Sequence, residues 1–405
     1  MRIAVVGGGA SGMAAAYAAA TSGGQVTLFE RNEKLGKKLY ISGKGRCNLT
    51  NDSPIETHLE NVVSNPRFLF SAYHALSPKD LMTLMEKSGV ALKTERGNRV
   101  FPRSDKSSDV ISAWKRMLNK ANVNISLCDR VQSIGSNGNL FEIVSLSGTY
   151  EFDRVIVCTG GITYRATGSN GDGYRFAESF GLSLVKPAPA LVGIKAHIPA
   201  ELAGLSLKNV ELSCKKEGKS LYSDFGEMLF THEGISGPLV LSLSSKINRL
   251  ILDGLTIYID LKPALSIETL DARLVREFTA APNKALKNLM PELMPKSLVS
   301  LVLEQAGVSE NRPAQSITKA ERQRLVQTIK GISIRPVGFE DINGAIVTAG
   351  GVSVSEIDPK TMQSKRIKGL FFAGEVLDVD ALTGGFNLQI AFSTGYLAGL
   401  SAANA

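Results

Sequence analysis

The sequence predicts an α/β fold: a parallel sheet with covering helices, interrupted by an inserted segment of antiparallel strands and helices. Three observations carry this. A short apolar run at the N-terminus leads into a glycine-rich turn and an alanine-rich helix. A second strand, Gln25 to Phe29, follows at once and ends on an acid, Glu30. The character of the chain then changes at Lys186-Pro187-Ala188-Pro189, beyond which strand-like runs, and later helical runs broken at prolines, extend to about residue 335. A chain of 405 residues has room for two or three such domains.

Arg2 to Val6 reads as a buried parallel strand. Gly7-Gly8-Gly9-Ala10-Ser11-Gly12 fits G-x-G-x-x-G, and Met13 to Ala20 reads as the helix, closed by Ser22-Gly23-Gly24. Gly7 permits the tight turn, Gly9 lets backbone approach a pyrophosphate, and Gly12 lets helix and strand pack closely. Ala10 and Ser11 open the helix, whose free N–H groups and dipole favour phosphate. Glu30 stands 18 residues after Gly12, where a carboxylate accepts hydrogen bonds from an adenosine ribose. A carboxylate there disfavours a 2′-phosphate. These elements predict a Rossmann-type dinucleotide-binding domain for FAD or NAD rather than NADP.

The remaining cofactor candidates are spread along the chain. Arg31, Lys38, Ser42, Gly43, Gly45, Arg46, Cys47 and Asn48 belong to a basic, glycine-marked loop that exposes backbone N–H groups. Val155 to Cys158 is a strand ending in Thr159-Gly160-Gly161. Phe371 to Ala373 is a buried strand ending in Gly374-Glu375. Gly384-Gly385-Phe386-Asn387 opens a helix over Leu388 to Leu400, whose N-terminus can point N–H groups at a flavin O2. A ligand touched by both chain ends is long, as FAD is, and no His or Cys attachment motif is evident, so the expected cofactor is non-covalent FAD.

KLGKKLYISGKGRCNLTN, Val155 to Gly161, Phe230 to Pro238, Gly369 to Glu375 and Thr383 to Gln389 together resemble the BaiN-like (YhiN-like) NAD(P)/FAD-dependent oxidoreductase flavoproteins, from residue 5 to residue 399. The resemblance implies a two-dinucleotide-binding-fold flavoprotein with one domain inserted into another. It implies an FAD-dependent reductase of an activated C=C bond in an enone-type steroid, or a ribosomal RNA dihydrouridine synthase that reduces uracil. Two further functions stay open at this point: an aminoketone oxidase using oxygen, and a non-catalytic FAD-containing RNA-binding factor.

The expected domains are 1–190 with 336–405 for FAD, 191–262 as an antiparallel, barrel-like β subdomain, and 263–335 as a helical subdomain. Ile334 to Phe339 is expected to re-enter the FAD domain. Within the first part, 53–120 reads as mainly helical, with a helix from Pro78, another over Asp105 to Ala121, and a strand pair over Lys93 to Pro102. Ile125 to Phe152 reads as a β-meander with its turn at Gly135 to Asn139.

No second G-x-G-x-x-G follows a strand, so NAD(P)H is expected only as a transient electron donor. The four cysteines, Cys47, Cys128, Cys158 and Cys214, form no C-x-x-C, which excludes a dithiol motif and a zinc site of that pattern. No metal cluster is evident. No apolar run is long enough to span a membrane, and Ile3 to Val6 is too short for a signal core, so a cytoplasmic protein without a membrane partner is expected. Candidates for moving a proton are Cys47 in the flavin loop, His232 between Thr231 and Glu233, and Tyr164 after Gly160-Gly161.

The net charge of +8 is uneven: 1–190 hold 23 Lys/Arg against 16 Asp/Glu. Lys87 to Lys120 alone carry nine cations and three acids. Arg96, Arg99 and Arg103 are therefore candidates for phosphate contacts with an RNA substrate, against a small-molecule substrate that would not need them.

Overall fold

Ile3, Ala4, Val5 and Val6 give a strand with no polar face, and such a strand is stable only when both faces are covered. The computed structural model, which describes residues 1–138 and 140–404, puts it in the centre of a five-stranded parallel sheet. The order across the sheet is Leu370–Phe372, Arg154–Val157, Arg2–Val6, Gln25–Phe29, Asn124–Ser126. Val6 lies opposite Val157 on one side and Phe29 on the other. The glycine turn, Glu30 and Thr159 therefore emerge together at the carboxyl edge, where open parallel sheets bind ligands.

The first helix, Ala10–Thr21, buries alanines against this sheet. A Cβ on Gly12 would stand 1.7 Å from the Gly7 carbonyl oxygen, so the turn closes only around glycine. The last helix, Phe386–Asn404, lies against the first. Its Gly395 and Gly399 face backbone: a Cβ would come to 2.1 Å from the Ser11 oxygen and 2.2 Å from the Ala15 oxygen.

Two units divide the chain, Met1–Ala190 with Asp341–Ala405, and Leu191–Glu340. The first also contains the hairpin Leu92–Glu95/Arg99–Pro102 joined by Thr50–Asn51, the meander Val131–Ser136, Phe141–Ser145, Thr149–Phe152, and the ladder of Leu184–Ala190 with Val347–Val352. The expected meander begins later than Ile125, because Asn124–Ser126 joins the parallel sheet. Of its expected turn, Asn139 lies outside the described residues.

The second unit is a seven-stranded sheet, in the order Ile332–Ile334, Leu255–Asp260, Ser206–Lys216, Lys219–Phe230, Gly234–Ser236, Ile194–Ala196, Pro336–Phe339, covered by helices. Two expectations are corrected here. Ile332–Ile334 and Pro336–Phe339 are the edge strands of this sheet and do not re-enter the first unit. Residues 191–262 and 263–335 are not separate subdomains, because strand residues such as Leu212 and Ile257 and helix residues such as Leu274, Val302 and Leu325 fill one core.

Gly12→Ala and Gly399→Ala are each expected to lower stability by about 1–3 kcal/mol, the usual cost of forcing a methyl into closed packing. Urea unfolding followed by far-UV circular dichroism measures it. An unchanged midpoint for Gly399→Ala would mean that the two helices are not held at backbone distance, and one for Gly12→Ala that the turn does not close on glycine.

Candidate functional site

The glycine turn and Glu30 are a single hydrogen-bonded object. Gly8 N–H donates to Glu30 Oε2 at 2.7 Å, and Asn32 donates to Oε1 from its backbone (2.8 Å) and its amide (2.6 Å). Glu30 is buried, and its carboxylate keeps acceptor capacity beyond these three donors. Sequence reasoning passed over Gly8 as a free position of the motif. Its Cβ would stand 2.4 Å from the Leu35 side chain, and its N–H is what orients Glu30. Gly9 is the opposite case. A Cβ there would meet no atom within 4 Å, and its φ of −79° suits any residue. Nothing in the protein's own packing demands glycine at 9, whereas a phosphate approaching the helix N-terminus would.

A second wall comes from Ser42 to Asn48. Gly43, Lys44, Gly45 and Cys47 all have left-handed φ, and the loop folds back on itself, with Arg46 N–H donating to Gly43 O at 3.2 Å and Cys47 N–H to Ser42 O at 3.0 Å. Ser42 closes it by donating its hydroxyl to Leu39 O. The Asn48 amide spans to the third wall, with its nitrogen 3.2 Å from Thr50 O and its oxygen accepting from Gly385 N–H at 3.0 Å. Gly385, at φ 101°, lies against Thr50 backbone and admits no Cβ. It delivers the chain into the last helix, so that helix begins beside the loop. Asn387 does not face this cradle with its side chain; it accepts from Ala381 N–H and donates to Ala381 O. The Phe386 ring packs edge-on to the buried His58 ring, with 5.0 Å between centroids.

Lys38 and Glu375, 337 residues apart, meet at the carboxyl edge of the sheet. Lys38 Nζ lies 2.6 and 2.8 Å from the two Glu375 oxygens and donates to Thr163 Oγ1 at 2.7 Å. Glu375 Oε1 also accepts from Thr348 N–H at 2.9 Å, and Thr348 Oγ1 accepts from Ile162 N–H. Gly160 and Gly161 run past this cluster; a Cβ on Gly161 would strike Thr348 Oγ1 at 2.2 Å. Thr163 and Thr348 are fully buried and carried no sequence signal. Asn51 was missed as well: its amide donates to Gly97 O at 2.9 Å and to Gly384 O at 3.0 Å.

Of the three proton-transfer candidates, the proposed role of Cys47 meets a contrary observation. Cys47 is fully buried, and burial pushes its thiol up to about 12 despite a hydrogen bond with Ser42. A group so placed neither meets substrate nor gives up a proton near neutral pH, so Cys47 is a packing residue of the loop. Tyr164 is half-buried, with Lys38 Nζ 5.9 Å from its ring centre. His232 belongs to the second unit, exposed in the turn after Lys219–Phe230.

Four of the six cations in the basic run Arg31 to Arg46 are paired, and Lys34 and Lys44 are exposed. Arg31 pairs with Asp172 at 3.2 Å, Lys37 with Glu33 at 2.9 Å, and Lys38 with Glu375. Arg46 pairs with both Glu95 and Asp105 and lies 4.2 Å over the Phe101 ring. Burial raises Asp172, but the hydrogen bond from Arg130 and the charges of Arg130, Arg31 and Arg175 outweigh it and hold this acid below its usual range. Arg31 and Arg46 thus brace the walls of the site. Arg96, Arg99 and Arg103 differ: all three are exposed, and no carboxylate lies within ion-pair distance of them among the described residues.

The residues fit FAD. An open approach at Gly9, a buried acceptor at Glu30, the left-handed loop Ser42 to Asn48 and a helix start at Gly385 suit a ligand that runs from the first turn of the chain to its last helix. The family model described as HI0933-like protein Rossmann domain matches residues 1–401. The chain belongs to the HI0933-like family. Among relatives, the 3-dehydro-bile acid delta(4,6)-reductase of Clostridium scindens is 33% identical over 99% of this chain and 99% of its own. The ribosomal RNA dihydrouridine synthase of Escherichia coli is 30% identical over 97% of this chain and 95% of its own. Among solved structures, the 3-ketosteroid delta1-dehydrogenase of Sterolibacterium denitrificans shares the fold, with a TM-score of 0.52 at 12% identity over 99% of each chain. This HI0933-like protein is an FAD-dependent oxidoreductase.

Gly9→Val is expected to give a folded, soluble protein that retains no FAD, since the new branch enters only the phosphate approach. Flavin fluorescence after denaturation reads the content, and full flavin would show that the phosphates lie elsewhere. Glu30→Ala is expected to weaken FAD binding by roughly 1–3 kcal/mol, about 5- to 150-fold in Kd, by removing a buried acceptor and loosening Gly8. Titration calorimetry of the apoprotein measures this, and an unchanged Kd would remove Glu30 from the site.

Proposed function

We propose that the protein reduces a C=C bond conjugated to a carbonyl. The observation that carries this is the single cradle that the first turn of the chain and the start of its last helix form together, in a chain whose relatives are named for reactions of this kind. A delta(4,6)-reductase of a 3-dehydro bile acid and a dihydrouridine synthase both add two hydrogens to such a bond. Reduced flavin, when bound, supplies the hydride.

The residues of the chain supply the setting. Glu30 and Gly9 hold the adenosine and phosphate end. The first turn of the last helix has N–H groups without intrahelical acceptors, which favour a negative charge developing on a neighbouring ring. The Lys38–Glu375 pair adds no net charge, and its threonine neighbours fix its direction. With one G-x-G-x-x-G in the sequence, NAD(P)H is read as a transient donor without its own Rossmann domain. The same reading places the enzyme in the cytoplasm, where unpaired thiols such as its four cysteines persist.

A second reading concerns the substrate. The exposed Arg96, Arg99 and Arg103 favour uracil in RNA over a bile acid, because three guanidinium groups match a run of phosphates, whereas a bile acid offers a single carboxylate.

Photoreduced holoenzyme, mixed without oxygen with a conjugated enone or with uridine-containing RNA, is expected to regain oxidised-flavin absorbance with one of them. Reoxidation by oxygen alone, with neither acceptor reduced, would replace the reductase reading with an oxidase. Mass spectrometry of ribosomal RNA from a deletion strain decides between the substrates through the loss of dihydrouridine.

A further inference from the structure

Residues 92–106 combine a charge imbalance with a direct connection to the cofactor cradle. Strand alternation puts Lys93, Glu95, Arg99 and Phe101 on one face of the hairpin Leu92–Glu95/Arg99–Pro102, while Leu92 and Val100 are buried on the other. Arg46 covers Phe101 on that same face. The two acids of the segment, Glu95 and Asp105, are both engaged by Arg46 and Lys93. The hydrogen bond from Arg46 and the charges around it hold Glu95 below its usual range, and Lys93 and Arg46 do the same for Asp105. Both acids therefore stay ionised and paired at neutral pH, and the set is lost only as pH falls through their lowered values. No acid of the hairpin is left to balance Arg96, Arg99 and Arg103. Arg99 is also aimed: its Nε donates to Arg96 O at 3.1 Å, and its guanidinium lies 5.9 Å from the Phe101 ring centre.

The hairpin is also joined to the cradle. Leu49 N–H donates to Val100 O at 2.9 Å and Asp52 N–H to Asn98 O at 2.7 Å, so Thr50–Asn51 runs as its third strand. The Asn51 amide then bridges the turn at Gly97 to Gly384. The Asn51 carbonyl is held in turn at 2.9 Å by Nε2 of the buried His58. One side chain, anchored on a rigid base, touches both the arginine-bearing turn and the residue before Gly385.

We propose that this hairpin is the docking arm for the phosphate backbone of an RNA substrate, and that Asn51 transmits its occupation to the flavin cradle. The inference rests on the uracil reading of the substrate. Arginine suits the task, since its planar fork binds phosphate oxygens in pairs. Such contacts position a nucleic acid without reading its sequence.

The test uses FAD-loaded protein and a fluorescein-labelled, uridine-rich single-stranded RNA. Wild type is expected to bind with an affinity that falls steeply with salt, and binding is expected to shift the visible flavin spectrum. The triple variant Arg96→Glu, Arg99→Glu, Arg103→Glu is expected to keep its flavin and lose at least tenfold in RNA affinity. Asn51→Leu is expected to bind RNA without the spectral shift; if it loses flavin, the wild-type spectrum alone decides the coupling. Equal binding by the triple variant overturns the arm and leaves the uracil reading intact if that variant still forms dihydrouridine. RNA binding by wild type with no spectral change overturns the role of Asn51. Absence of salt-sensitive binding by wild type overturns the proposal, and the uracil reading falls with it only if ribosomal RNA of the deletion strain keeps its dihydrouridine.

Discussion

Gly395 and Gly399 let the last helix settle onto the backbone of the first. The oxygens of Ser11 and Ala15 stand where side chains would begin, so the two helices meet with nothing between them. This contact brings the last turn of the chain to the same edge of the sheet as the first. The glycine turn at Gly7 to Gly12 and the turn at Gly384-Gly385 are separated by most of the sequence. They come to one edge of the sheet because the helices that follow them are pressed together. Asn48 and Thr50, which touch Gly385, and Glu375, which Lys38 holds, depend on the same approach.

Charge in this protein is organised by distant partners. Read along the chain, Arg31 to Arg46 is a basic run with one acid. In space its acids arrive from elsewhere: Asp172, Glu375, Glu95 and Asp105. Each pair ties one wall of the site to another element, so these charges define shape more than they create a field. Exposed pairs of this type contribute little to stability singly. Their value lies in fixing a loop whose backbone is left-handed at four positions.

How much was legible follows from the range of the interactions. Gly7, Gly9, Gly12 and Glu30 could be read because strand, turn and helix impose a fixed local spacing. The turn at Gly384-Gly385 could be read for the same reason, since a glycine pair before an apolar helix is a local signal. Thr163, Thr348 and Asn51 could not, because an isolated polar residue announces nothing until a partner hundreds of residues away reaches it. Cys47 misled for a related reason. Its neighbours in sequence are loop residues, but its side chain turns inward, where low polarity suppresses ionisation. The strands at Ile332–Ile334 and Pro336–Phe339 were assigned to the wrong unit because a short β-run does not say which sheet it will complete. Their partners, Leu255–Asp260 and Ile194–Ala196, settle that.

The ladder between Leu184–Ala190 and Val347–Val352 has its own implication. Ala190 lies opposite Val347, so the chain leaves the first unit and returns to it at neighbouring points of one antiparallel pair. The 150 residues between, Leu191 to Glu340, are threaded like the loop of an ordinary hairpin, though they fold around a core of their own. Insertions at such points are tolerated because the host backbone keeps its hydrogen bonds whatever the insert does. The arrangement is modular in the genetic sense: drift, exchange or remodelling of the insert needs no change in the path of the nucleotide-binding chain. A lineage can thus preserve one redox cradle intact while the remainder of the molecule diverges at its own rate.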